Sequence, residues 1–220
     1  MLLTVIDKQE GTGVMIIGVT GGIACGKSEV CRILERKGFV HIDSDDVAHE
    51  VLEIPSVVNE ITSYFGVDVA KKRNEDADII FIDRKALGKI VFADPEKMNV
   101  LEKITRPRIV ESIKQRVLSE PNRDYVIEGI ALVSSGLCDI FNELWVVHAE
   151  PAQQIDRLVK YRGMTFEEAM DRLESQEDHD WDEKAADRVI YSIEPLEKME
   201  EQVEAALEEL QTNRSVKSEK

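Results

Sequence analysis

The sequence predicts an α/β protein built on a parallel sheet with helices on both faces, and three observations predict it. Residues 14–37 read as a buried strand, a glycine-rich turn and a helix in direct succession. Further short apolar runs recur at 38–42, 124–127, 144–148 and 185–191, separated by segments of helical periodicity; strands that alternate with helices pair in parallel through crossover connections. Acidic residues stand at the ends of two of these runs, Asp43, Asp45 and Asp46 after the second and Glu128 after the third. In open α/β sheets ligands sit beyond the carboxyl ends of the strands, so these acids face the expected crevice.

The first strand–turn–helix carries the chemistry. Gly21, Gly26, Lys27 and Ser28 satisfy the G-x-x-x-x-G-K-[ST] phosphate-loop pattern. Its glycines let the chain curl so that backbone N–H groups from Gly21, Gly22, Ile23, Ala24, Cys25 and Gly26 onward wrap an anion, and the helix that follows adds partial positive charge. Lys27 is expected on the β- and γ-phosphates of ATP, and the Ser28 hydroxyl on Mg²⁺. A chance match in a chain of this length is on the order of one in a hundred. The apolar run before it and the helical spacing of Val30, Ile33 and Leu34 after it reduce that further. The fold class is therefore the phosphate-loop NTPase variety. Cys25, inside the loop, is read as a small filler rather than a reactive thiol.

The remaining elements follow in order. Asp43 and Asp45 are two residues apart; on an extended segment both point the same way, one able to take a proton from a substrate hydroxyl while the other orients it or a metal-bound water. Either Asp43 or Ser44 also suits a helix cap, and the base is open between the two acids. Residues 51–65 give a helix or helix pair broken at Pro55 and ended at Gly66, and 71–76 a charged loop. An amphipathic helix follows Asp83-Arg84, then a long helix over 95–118, interrupted or kinked near Pro107. Arg84, Arg106 and Arg108 are candidates for an anionic substrate, since a guanidinium offers a rigid donor fork. Glu128, at the end of a hydrophobic strand, is placed to hold a Mg²⁺ water beside the phosphate loop. Residues 129–137 read as a loop. Pro151–Arg162 and the segment from Thr165, opened by a capping box with Glu168, form a helical hairpin with a basic hinge (Arg157, Lys160, Arg162), as a closing lid requires.

These readings divide the chain into a disordered extension (1–13, with Met15 an alternative start) and a kinase domain over 14–210, followed by a frayed tail at 211–220. Within the domain, 14–50, 120–150 and 183–210 form the core, 51–119 a helical substrate-binding insertion and 151–182 the helical lid. A net charge of −16 argues against nucleic acid and against docking on an anionic membrane, and no apolar run approaches a membrane span. Three cysteines without pairing or metal spacing fit a reducing cytoplasm, and the four histidines show no metal spacing either. The expected partners are small molecules, with the chain a monomer or weak homo-oligomer.

Taken together these residues resemble the dephospho-CoA kinases, in family order from Met15 to about Leu207. The matching pieces are Gly18–Ser28, Ile42-Asp-Ser-Asp45, Asp83-Arg84 with Leu87-Gly88 and Ile90-Val-Phe92, then Gln154 with Arg157 and Arg162, Thr165–Ala169, Gln176, and Ala186-Asp187 with Val189-Ile190. The resemblance implies ATP-dependent phosphorylation of the ribose 3′-hydroxyl of dephospho-CoA. It implies Asp45 as the base, Arg157 and Arg162 as lid arginines on the transferring phosphoryl group, and the region from about Val51 to Ser119 as the receiver of the CoA moiety. The chain departs from the family pattern on the acceptor side. Glu128-Gly-Ile-Ala-Leu-Val-Ser134 stands where Asp-x-Pro-Leu-Leu-Phe-Glu is usual, Arg106-Pro107 replaces His-Pro, and His49 stands in place of Arg. A kinase of another acceptor, such as a deoxynucleoside monophosphate, and a non-catalytic ATP-binding protein are the competing expectations.

Overall fold

The structure is a computed structural model that describes residues 14–72, 80–130, 132–175 and 185–218. The expected extension at 1–13, the distal part of the lid from 176, most of the charged loop at 71–76 and Gln176 lie outside the described residues. The fold clusters into two compact units, one drawn from residues up to Ile42 and from Glu120 onward, the other Asp43–Ser119.

The first unit is the sheet unit. Its five-stranded parallel sheet has the order β2-β5-β1-β6-β7, with β1 Ile16–Gly21, β2 Val40–Asp43, β5 Tyr125–Glu128, β6 Glu143–His148 and β7 Arg188–Tyr191. Every residue of β1 is buried, which is why it takes the centre. Gly18 is required there for a packing reason: a Cβ would lie 2.6 Å from the ring of Phe141, itself buried, and neither side can yield. Side chains satisfy the amides where strands enter the sheet. Asp124 Oδ1 accepts from Met15 N (2.6 Å), Asn142 Oδ1 from Ile16 N (2.6 Å) and Asp187 Oδ2 from Leu144 N (2.8 Å).

The core joins Ile17 and Val19 of β1 and Trp145 of β6 to two helices, α1 Lys27–Arg36 through Val30, Cys31, Ile33 and Leu34, and α9 Leu196–Ser218 through Met199, Val203, Ala206 and Leu207. The acidic outer face of α9 meets the basic end of α1, Glu200 with Arg36 (3.1 Å) and Glu204 with Lys37. A second cluster, Ile23, Leu158 and Ala169 with Ile155, Met164 and Leu173, fastens the helical hairpin α7 Pro151–Arg162 and α8 Phe166–Glu174 onto the phosphate loop. The capping box is present: Thr165 N donates to Glu168 Oε2 (2.8 Å) and Glu168 N to Thr165 Oγ1 (3.2 Å).

The second unit packs α2 Ser44–Val51, α3 Pro55–Phe65, the hairpin β3 Ala70–Lys72 and β4 Ile80–Ile82, α4 Arg84–Val91 and α5 Pro95–Ser119. Val47, Val51, Val57, Val58, Ile61, Val69, Ile82, Leu87, Val91, Ile113 and Val117 are the buried apolar residues among those described in it. Asp83 begins α4 by accepting from Lys85 N (3.0 Å) and Ala86 N (3.2 Å), and it pairs with Lys71. The hydrogen bond from Lys71 and the amides of α4 hold its carboxyl below the ordinary value of 3.8. A lowered folded-state pKa stabilises the fold above the ordinary carboxylate range, and the gain is lost as pH falls through the lowered value. Asp83→Asn is therefore expected to flatten the decline of thermal stability between about pH 4 and pH 2, measured by circular dichroism melts. An unchanged slope would remove Asp83 from the acid response.

Several elements differ from the sequence expectation. The second strand ends at Asp43 and α2 starts at Ser44, so Asp45 lies in a helical first turn and the alternation argued for an extended Asp43–Asp45 pair does not apply. Residues 70–72 and 80–82 pair as antiparallel strands, the first overlapping the start of the charged loop expected at 71–76; three-residue strands carry too little alternation to be read. The 129–137 loop contains a short helix, α6 Leu132–Ser135. Helix α5 runs through Pro107 without interruption, which removes the first of the two expected outcomes there. The last strand begins at Arg188 rather than Ala185. The closing helix runs to Ser218 rather than fraying from Gln211, since no Gly or Pro interrupts 211–218. Among the described residues no helix is long and apolar enough to cross a membrane.

Candidate active site

The phosphate loop leaves β1 at Gly21, whose φ of +146° and whose pro-Cβ position, 2.4 Å from Val147 O, admit only glycine. Gly26, at φ +104°, caps α1. Between them every carbonyl is fastened. Lys27 Nζ donates to Gly21 O and Gly22 O (2.9 Å each), Gln154 Nε2 to Ile23 O (2.7 Å), and Arg157 Nη1 to Ala24 O (3.0 Å) and Cys25 O (3.3 Å). A trans peptide points its C=O and the following N–H in opposite directions. Tying the carbonyls of Ile23 and Cys25 to α7 therefore turns the N–H groups of Ala24 and Gly26 to the loop's other side, the arrangement an anion needs, while Cys25 N donates to Gly22 O at 3.4 Å. Ala24, at φ +54°, sits in the left-handed region that loop curvature imposes.

Beyond the loop, the Ser28 hydroxyl donates to Glu128 Oε1 at 2.9 Å, and His41 Nε2 stands 3.2 Å from Glu128 Oε2. Burial raises the Glu128 carboxyl, but hydrogen bonds from His41 and Ser28 and the charge of Lys27 outweigh it and hold the group below its ordinary value, as a carboxylate. Burial pushes the Cys25 thiol up despite nearby Lys27, which fits the filler reading, and pushes the Cys31 thiol far up, with the Glu128 charge adding to it. A cleft of about 740 Å³ opens beside the loop, lined by Gly21, Gly22, His148 and Gln154 and by Phe166 and Met170 of the hairpin. Arg162 is exposed in the last turn of α7.

In the second unit, Asp43 Oδ1 accepts from Asp45 N (2.8 Å), the cap expected as its alternative role, and Asp45 is exposed. Arg106 pairs with Glu102 (2.8 Å) and Arg108 with Glu60 (2.7 Å), whereas exposed Arg84 makes no ion pair among the described residues.

A sequence model of the dephospho-CoA kinase family matches residues 15–194. The chain belongs to the dephospho-CoA kinase family. It is 39% identical over 202 residues to the dephospho-CoA kinase of Geobacter metallireducens, covering 89% of this chain and 96% of that one. With the dephospho-CoA kinase of Carboxydothermus hydrogenoformans it shares 35% identity over 192 residues, 86% and 90% of the two chains. The solved dephospho-CoA kinase from Campylobacter jejuni superposes with a TM-score of 0.57 at 28% identity, over 89% of this chain and 96% of that one.

In the stretch after Glu128 that departs from the dephospho-CoA kinase pattern, Thr20 Oγ1 donates to Ile130 O (3.0 Å) and Leu132 is buried. Two features of the site escaped the sequence reading. Gln154 was visible only as a family residue, yet its side chain holds the loop from 131 positions away. Cys31 and His41 lack metal-ligand spacing in sequence, yet with Glu128 their ligand atoms lie within 4.8 Å of one another.

Proposed function

We propose that this chain transfers the γ-phosphoryl group of ATP to the ribose 3′-hydroxyl of dephospho-CoA. Family membership supports the substrate; the observation that carries the donor side is the phosphate loop whose five consecutive carbonyls, Gly21 to Cys25, are occupied by Lys27, Gln154 and Arg157. In this reading Lys27 leaves those carbonyls for the β- and γ-phosphates, and the amides from Gly22 to Ser28 cradle the same group. Arg157 and Arg162 steady the charge that spreads over the transferring oxygens. The oxygen donors at Ser28 and Glu128 are of the kind a hard divalent ion takes, so these residues fit Mg²⁺, Ser28 as ligand and Glu128 through water. Bound there, Mg²⁺ supplies charge neutralisation at the phosphate oxygens.

Asp45 accepts the proton of the attacking hydroxyl, and Asp43 holds the turn that presents it. Arg84, unpaired among the described residues, is the better placed of the three acceptor-side arginines to meet an anionic substrate; Arg106 and Arg108 exchange an existing carboxylate partner to do so. Three cysteines that form no disulfide among the described residues fit work in a reducing compartment, the cytoplasm. The deciding experiment is ADP release from ATP and Mg²⁺ with dephospho-CoA beside a panel of nucleoside monophosphates. Turnover with dephospho-CoA alone is expected. Turnover with a nucleotide alone would move the acceptor while leaving the donor site in place.

A further inference from the structure

The side chains behind Ser28 have a composition that nucleotide binding does not explain. Cys31 lies on α1, His41 on β2 and Glu128 at the end of β5, and one sulfur, one ring nitrogen and one carboxylate oxygen converge within 4.8 Å. Cys31 is completely buried, Glu128 is 7% exposed and His41 is partly exposed, so the cluster is enclosed except along the imidazole edge. His41 Nε2 reaches the Glu128 carboxylate at 3.2 Å, and the Cys31 sulfur lies beside the same pair. The other ring nitrogen, Nδ1, faces Glu35 Oε1 at 3.8 Å. A carboxylate behind the outer nitrogen of an imidazole is the arrangement that orients histidines toward metals. Mg²⁺ does not suit a set with sulfur and nitrogen, whereas a borderline-soft dication does, and three protein ligands of these types leave a fourth position open.

We propose that Cys31, His41 and Glu128 form a site for a Zn²⁺-class cation. On binding, the thiol loses its proton to solvent as the metal–sulfur bond forms. Thiolate and carboxylate together then balance the two positive charges, with His41 as the neutral third ligand. The site shares Glu128 with Ser28, so its occupant takes up the carboxylate whose Oε1 now accepts the serine hydroxyl. Zinc-class binding and use of the phosphate loop are thereby coupled through one side chain.

The test uses the full chain and Co²⁺ alone as an optical stand-in for Zn²⁺, without nucleotide. The expected result is a single equivalent bound, with a thiolate-to-cobalt charge-transfer band and visible bands of tetrahedral intensity, displaced by Zn²⁺. Cys31→Ala is expected to abolish the charge-transfer band. His41→Val is expected to weaken Co²⁺ binding at least about tenfold, whereas Cys138→Ser leaves the spectrum unchanged. Absence of the band in the unaltered protein, or its survival in Cys31→Ala, would overturn the proposal. The first of these outcomes does not depend on any variant folding.

Discussion

Lys27→Met is expected to lower kcat for ATP-dependent transfer about 10²–10³-fold while the protein stays folded. Within the loop the ammonium donates to Gly21 O and Gly22 O, 2.9 Å from each. Both carbonyls belong to the same turn, so the lysine spans the loop rather than projecting into solvent. Methionine keeps most of the apolar stem and removes only the charge. The two carbonyls then turn to water, at a cost on the order of 1 kcal/mol each, far below what would unfold the sheet. The transition state loses a positive charge where negative charge builds up, which is where a preorganised donor contributes most. Steady-state ADP release with a circular dichroism melt checks both halves. A kcat within tenfold of the unaltered protein, at similar melting temperature, would sink the assignment.

Asp45→Asn is expected to lower kcat about 10²–10⁴-fold and to leave ATP affinity within about threefold, because an amide keeps the shape of the acid and cannot accept a proton. Asp43→Asn supplies the contrast. Asp43 Oδ1 accepts the Asp45 amide at 2.8 Å, a capping bond that asparagine can also make. It is expected to cost under about 1 kcal/mol of stability and much less turnover than the change at Asp45. Titration calorimetry with ATP and single-turnover transfer to dephospho-CoA separate the two effects. Equal loss of ATP binding and of turnover in Asp45→Asn would refute the role of a base, and a larger fall in Asp43→Asn would move that role two residues earlier.

The legible parts of the fold and site were those written in contiguous residues. The phosphate loop is a local device: backbone geometry admits few alternatives to glycine at Gly21 and Gly26, and Lys27 and Ser28 follow at fixed spacing. Glu128 was readable because it ends a short apolar run, and the Thr165–Glu168 capping box because both partners lie within one helical turn. What stayed hidden depended on where a segment stops or on residues far apart. The pairing of Asp43 with Asp45 was misjudged because a cap and a strand end look alike in sequence, and the choice falls to the helix that starts at Ser44. The Cys31–His41–Glu128 cluster joins one helix and two strands, and only the β2–β5 pairing brings the last two side by side. The β3–β4 hairpin was masked by its charge, since Lys71 and Lys72 look like a solvated tip.

The fastening of the phosphate loop to α7 bears on what can be moved between proteins. Gln154 and Arg157 hold Ile23, Ala24 and Cys25 from 131 to 133 positions downstream. A graft of residues 21–28 alone would carry the recognisable motif into a new scaffold and leave its carbonyls without their supports. The transplantable piece is the loop together with one face of α7, two stretches that no single primer would span.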